Sequence, residues 1–373
     1  MDIAADIPGV IHLEVGEPDF PTPAHVIEAA AVAATGGHTK YTASRGYVSL
    51  RELLVTRLAE VNGISATTDQ ITVTSGAVTA LFEGFLAILD SGDAVLLPDP
   101  GWPNTEAMVT LAGGRAVRYP LIAEEGFDPD LDAMRALAEQ HRPKAIYVNS
   151  PSNPTGAVFS RSTIETICEI AEATGAYIVS DECYEAITFD RPHISPATIA
   201  PERCLTAFSF SKTYAMTGWR VGYLVAPQDV SDAVVKLQEP VISCASAVSQ
   251  KAAEAALTGP QDVVVTMVEE YRRRRDQIVA TLGGAGLLAS SPAGAFYVMA
   301  NVSRSGATGR QFALELVTER AVAVAPGDTF GPTGANLVRI SLASSMDALR
   351  EGIGRMIAHV EERRVRAGDE RSR

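Results

Sequence analysis

The chain reads as an α/β protein: a mainly parallel sheet covered by helices on both faces, followed by a smaller α+β domain. Three observations carry this reading. The middle of the chain alternates short apolar runs, each bounded by Gly, Pro, Asp or Ser, with helical patterns. Buried strands separated by helices are how a parallel sheet is built. The length, 373 residues, exceeds the roughly 250–300 residues at which a single core stops growing, so two domains are expected. From about residue 250 onward the pattern changes to one long helix and then to strands that alternate apolar and polar positions.

In chain order, residues 1–39 are too few for a domain and are expected to pack with the C-terminal part. A turn at Ser75-Gly76 opens an amphipathic helix over 79–89. Apolar runs at 94–97, 145–148, 177–180, 204–208 and 221–225 predict strands, and 131–140 and 162–174 predict helices between them. These define a large domain over 40–249. The small domain combines 1–39 with 250–373: a helix over 263–282, strands over 294–301 and 337–342, and helices over 310–320 and 348–364.

Composition excludes several classes. With 46% hydrophobic and 20% charged residues the chain is an ordinary globular protein. A net charge of −14 is the wrong sign for a nucleic-acid binder. The one dense basic run, 272–275, lies among Met267, Tyr271, Ile278 and Leu282 at helical spacing, which predicts a solvated helix face; the basic residues of 363–373 read as a frayed tail. None of Cys168, Cys183, Cys204 and Cys244 has metal-binding or Cys-x-x-Cys spacing, so they are expected as buried packing thiols, with no metal site. Asp2 and Asp6 stand where a signal peptide needs positive charge, and no apolar run reaches the ~18 residues of a membrane span. A cytoplasmic protein without membrane partners is expected.

Ligands of open parallel sheets bind beyond the carboxyl ends of the strands. The polar segments following the central runs are 149–156, 181–184 and 209–212, and they should share one rim. Ser75-Gly76-Ala77 offers backbone N–H groups at a helix start; this suits a phosphate but equally an N-cap. Lys212, behind two serine hydroxyls, is a solvated lysine or a desolvated nucleophile. Arg220 is a phosphate clamp or half of an ion pair. Asp181 caps a turn or keeps a pyridine nitrogen protonated, and Tyr184 can reach the same face.

The run Ser209-Phe210-Ser211-Lys212-Thr213-Tyr214-Ala215-Met216-Thr217-Gly218-Trp219-Arg220-Val221-Gly222-Tyr223 closely resembles the lysine signature of class I/II aminotransferases, the fold-type I enzymes that depend on pyridoxal 5′-phosphate (PLP). Further blocks of that family follow in order, including Gly16-Glu17-Pro18-Asp19-Phe20, Pro100-Gly101-Trp102-Pro103, Asn153-Pro154-Thr155-Gly156, Asp181-Glu182-Cys183-Tyr184 and Val338-Arg339-Ile340-Ser341. The resemblance implies roles. Lys212 would bind the cofactor as an imine, Asp181 would pair with the ring nitrogen, and Asn153 and Tyr184 would bond its phenolic oxygen. Trp102 would stack on the ring. Ser75, Gly76, Ala77, Ser209 and Arg220 would hold the phosphate, joined by Tyr41 from the partner of a homodimer. Arg339 would grip the substrate carboxylate with Gly16 and Asn153, and Phe296 would line the pocket. The Asn153-Pro154 bond is expected cis.

Two departures from the family pattern bear on function. Few residues precede Gly16, so a short N-terminal arm across the dimer is expected, with no room for a DNA-binding module that would make the fold a noncatalytic sensor. Val78 stands where similar bacterial aspartate aminotransferases carry a lysine for the distal carboxylate, which turns the expectation from aspartate to a neutral or apolar amino donor. The implied activity is ping-pong transfer of an amino group from an L-amino acid to a 2-oxo acid such as 2-oxoglutarate. A PLP-dependent lyase eliminating at Cβ or Cγ is the alternative, since one fold serves many chemistries.

Overall fold

The computed structural model describes residues 7–371. Its strands are β1 (Ile11–His12), β2 (Ile71–Thr74), β3 (Ala94–Asp99), β4 (Arg115–Ile122), β5 (Asp128–Pro129), β6 (Ala145–Asn149), β7 (Tyr177–Asp181), β8 (Cys204–Ser209), β9 (Gly222–Val225), β10 (Tyr297–Asn301), β11 (Val322–Ala323), β12 (Ala325–Pro326) and β13 (Leu337–Ser341). Eight of them form one sheet in the order β2-β9-β8-β7-β6-β3-β4-β5. The five middle strands, β8 to β4, are mutually parallel. The expected strand at 221–225 is present as β9, but it runs antiparallel to both β8 and β2.

The central strands are apolar throughout because both faces are covered, and their alternate residues divide between the two faces. Val95, Leu97, Tyr147, Leu205 and Ala207 pack against the helices Ala77–Ile88 and Gln228–Ile242. Leu96, Ile146, Val148 and Phe208 face the helices Leu131–His141 and Arg161–Thr174. Local chemistry sets the helix ends. Asp130 accepts from the Ala133 N–H and Ser160 from the Thr163 N–H, while Gly175 closes the latter helix at φ 73°.

The smaller layer is the antiparallel sheet β10-β13-β12 with the two-residue parallel pair β1-β11. Helices Asp262–Gly284, Gly309–Arg320 and Met346–Arg371 accompany it. Tyr271, Phe296, Leu316, Ile340 and Ile353 share its core. Packing at the boundary differs from the division at 249/250. Helices Ala24–Thr35 and Ala247–Thr258 bury Val26, Ala30, Ala252, Ala253 and Ala256 in the core of the large sheet. We therefore group both helices with the large layer.

Two expectations need correction. Arg274 and Arg275 are buried, not solvated. Arg274 donates to both Asp19 carboxylate oxygens (2.8 and 2.9 Å), and Arg275 to both of Asp190 (2.5 and 2.9 Å). Helical spacing identified the helix but could not tell which arginines meet a carboxylate from a distant segment. Cys168 and Cys204 are buried as expected, whereas Cys183 and Cys244 are partly exposed.

Candidate active site

The segments that end β7 and β8 meet the N-terminal segment 14–16 and β13 around a cavity of about 350 Å³. Gly16, Ala77, Trp102, Asn153, Asp181, Tyr184, Ser209, Lys212, Arg220 and Arg339 all line it. These ten come from across the whole chain, yet each was singled out in the sequence. Asn153-Pro154 is cis, as are Asp99-Pro100 and Ser150-Pro151.

Lys212 sits in the four-residue helix Phe210–Thr213 directly after β8. Its amine donates to the Gly16 carbonyl at 2.6 Å. Burial lowers its pKa, and the nearby Arg220 and Arg339 cations lower it further, while Glu17 opposes them. Asp181, the last residue of β7, is buried. Burial raises its pKa; hydrogen bonds from the Cys183 N–H (3.1 Å) and the Tyr147 hydroxyl (2.9 Å) pull it back down. Tyr147 lies on the neighbouring β6, where register sets Asn149 beside Asp181 and Tyr147 beside Val179. Asn149 in turn donates to the Asp181 carbonyl (3.1 Å) and accepts from the Asn153 N–H (2.8 Å), tying the two rim segments together.

At one end of the cavity Arg339 donates to Asn153 Oδ1 (2.8 Å) and the Glu14 carbonyl (2.6 Å). Its guanidinium lies over the Tyr297 and Phe330 rings, 4.3 and 4.8 Å from their centroids. Its Nε is buried with no hydrogen-bond partner. At the other end Arg220 donates to the Thr217 and Ser75 carbonyls (2.9 and 3.3 Å). Gly76 opens the helix Ala77–Ile88 at φ 81°, where a Cβ would come within 2.7 Å of Arg220 Nη2. Ser209 accepts from the Ser211 N–H at 3.0 Å.

Four expected residues, Ser75, Gly76, Phe296 and Tyr41, stand apart from the cavity surface. Ser75 meets Arg220 through its carbonyl. Phe296 is fully buried behind Tyr184, edge-on at 5.3 Å between centroids; its neighbour Tyr297 faces the cavity instead. Tyr41 lies outside this cavity and is 87% exposed. Sequence reasoning missed Tyr297, Tyr147 and Glu14. Tyr297 bonds the Tyr184 hydroxyl at 2.7 Å, and a Cβ on Gly16 would run into its oxygen. Alternation along a strand marks one of two adjacent aromatics as inward, but not which one. Among the described residues no His, Cys, Asp and Glu group could hold a metal ion, and no helix is long and apolar enough to cross a membrane.

Known proteins resemble this chain over nearly its whole length. Residues 8–356 match the family model for aminotransferase class I and II. The chain is 41% identical over 349 residues to an aspartate/prephenate aminotransferase of Thermus thermophilus, covering 93% of this chain and 90% of that one. Among solved structures it resembles an aromatic aminotransferase from Pyrococcus horikoshii (TM-score 0.93, 36% identity, covering 96% and 97% of the two chains). It is also similar to the Thermus thermophilus aspartate aminotransferase with maleate (TM-score 0.91, 39% identity, covering 94% and 91%). With its fold and nearly its full length shared with them, this chain belongs to the class I and II aminotransferases, enzymes that depend on pyridoxal phosphate.

Proposed function

We propose that the enzyme moves the amino group of an L-amino acid with a neutral or apolar side chain to a 2-oxo acid, with PLP carried on Lys212. The observation that carries the proposal is the convergence of a desolvated amine, a buried carboxylate and a guanidinium with an unused N–H on one cavity. The substrates named for the relatives, aspartate, prephenate and aromatic, differ among themselves, and the cavity wall is what favours the donor. Val78, Leu81 and Val15 are apolar there.

The residues fit the cofactor. Gly76 leaves Arg220 the room a side chain would occupy, as a phosphate cradle requires, and the N–H groups opening Ala77–Ile88 favour an anion. Arg220, Ser75, Gly76, Ala77 and Ser209 would hold the phosphate, Trp102 the ring face, and Tyr184 and Asn153 the ring oxygen. When bound, PLP supplies a ring that takes up the electrons of the substrate Cα–H bond.

The chain's own residues do the rest. Arg339 binds the substrate carboxylate; Asn153, the Glu14 carbonyl and the stacked Tyr297 and Phe330 hold it in one orientation. Lys212 Nζ, kept neutral more readily by burial, would take the substrate Cα proton and deliver it to the cofactor's C4′. Asp181, whose carboxyl oxygens accept from Tyr147 and the Cys183 N–H, would hold a proton on the ring nitrogen. Tyr41, exposed on this protomer, would complete the phosphate site of a second copy in a homodimer.

Borohydride reduction of the coloured protein followed by peptide mass analysis tests the reading. A pyridoxyl adduct on Lys212 is expected; an adduct elsewhere, or none, overturns it. Lys212→Ala is expected to lower turnover at least about a thousandfold. Amino acids mixed singly with the holoenzyme should bleach the cofactor band; pyruvate and ammonia formed without an oxo acid would mark an eliminating lyase instead.

A further inference from the structure

One charged side chain in the cavity wall has no part in this chemistry. Glu14 lines the cavity two residues beyond β1, and its side chain is only 10% exposed. One carboxylate oxygen is 2.8 Å from His12 Nδ1, and the other is buried without a hydrogen-bond partner. The Glu14 carbonyl accepts from Arg339, so the residue stands beside the group proposed to bind the substrate carboxylate.

The aliphatic side chains lining the cavity are Val15, Val78 and Leu81. Among the described residues the cavity's cations are Lys212, Arg220 and Arg339. Under the proposed function all three are committed, Lys212 to proton transfer, Arg220 to the phosphate and Arg339 to the α-carboxylate. A second carboxylate on a substrate would therefore find no uncommitted cation on this protomer's side of the cavity, and would meet a lining that includes the acidic residue Glu14. Both effects raise its cost: unpaired burial of an ion is expensive, and like charges a few ångströms apart repel more strongly as water is excluded.

We propose that Glu14 is a specificity-determining residue that selects amino and oxo acids with a single carboxylate and an uncharged side chain. The inference rests on the transaminase reading above. It acts in both halves of the reaction, so a monocarboxylic oxo acid is a better acceptor than 2-oxoglutarate. Selection here works by repelling the wrong substrate rather than by an added attraction.

The test uses holoenzyme of wild type, Glu14→Gln and Glu14→Thr. Two unreactive analogues, succinate and isovalerate, are titrated while cofactor absorbance reports binding, and half-reaction rates are taken with aspartate and leucine. Wild type is expected to bind isovalerate at least about tenfold more tightly than succinate. In both variants that ratio should fall by about tenfold, with the aspartate-to-leucine rate ratio rising in parallel. Wild type binding succinate as tightly as isovalerate overturns the role of Glu14, and this needs no variant to fold. Ratios unchanged in a folded, coloured variant overturn it too. A holoenzyme that no amino acid bleaches overturns the transaminase reading along with it, whereas normal reaction with leucine and unmoved ratios removes Glu14 alone.

Discussion

Asp181 and Arg339 illustrate how single side chains here depend on partners from other strands. Burial pushes the Asp181 carboxyl up, and Tyr147 and the Cys183 N–H oppose that shift. Tyr147→Phe removes one donor and leaves Oδ2 bare. We expect kcat to fall about tenfold with KM little changed, and the acidic limb of the pH–rate profile to move upward, because the carboxylate then holds its proton to higher pH. An unmoved acidic limb would count against the role of Asp181. Arg339→Lys keeps the charge but loses the planar fork, so kcat/KM should drop about a hundredfold, mostly in KM. Steady-state kinetics with a neutral donor measures this. Asp181 and Arg339 were legible because their short blocks fall in the order of a family pattern spread along the chain. Tyr147 was not: on a strand buried on both faces its apolar body reads as core, and its hydroxyl's partner lies 34 residues away.

At the scale of elements, the helix Ala77–Ile88 carries both the phosphate end of the site and an unusual interior. Gly76→Ala would place a methyl group against Arg220 in a backbone conformation that disfavours side chains. The cofactor dissociation constant should rise at least about tenfold, measured by titrating apoprotein with PLP and following absorbance. Deeper in the same helix Glu83 is fully buried, with neither oxygen hydrogen-bonded, and its pKa is pushed up to about 8 by burial. A folded pKa above the unfolded value means that the folded state binds more protons between the two. Stability is then full below pH 4.5 and is lost as pH rises towards about 8. Glu83→Gln should remove that slope, on the order of 4 kcal/mol across the window. Denaturant midpoints at pH 5 and pH 8 test it: parallel losses in both proteins would refute it. The helix itself was expected from periodicity, starting two residues late because Gly76, not a serine, sits at its cap.

Across the whole molecule, the segment 14–22 joins the two layers. Its Gly16 carbonyl meets Lys212, Thr22 Oγ1 donates to the Ala215 carbonyl (2.6 Å), and Asp19 takes the fork of Arg274 from the helix Asp262–Gly284. Arg274→Ala leaves Asp19 without its partner and uncovers Phe20, a loss of about 3–5 kcal/mol in urea unfolding. The sequence by itself determined the layer order, the strand-then-rim placement of the reactive groups and the family. Those follow from periodicity and from motifs whose residues lie a few positions apart. Only the tertiary structure decided that Tyr297 rather than Phe296 faces the cavity, that two arginines of a basic helix are buried, and that Glu14 stands beside the substrate end. Each of these is a contact between segments far apart in the chain, and such contacts are set by packing and register across layers, which no local pattern encodes.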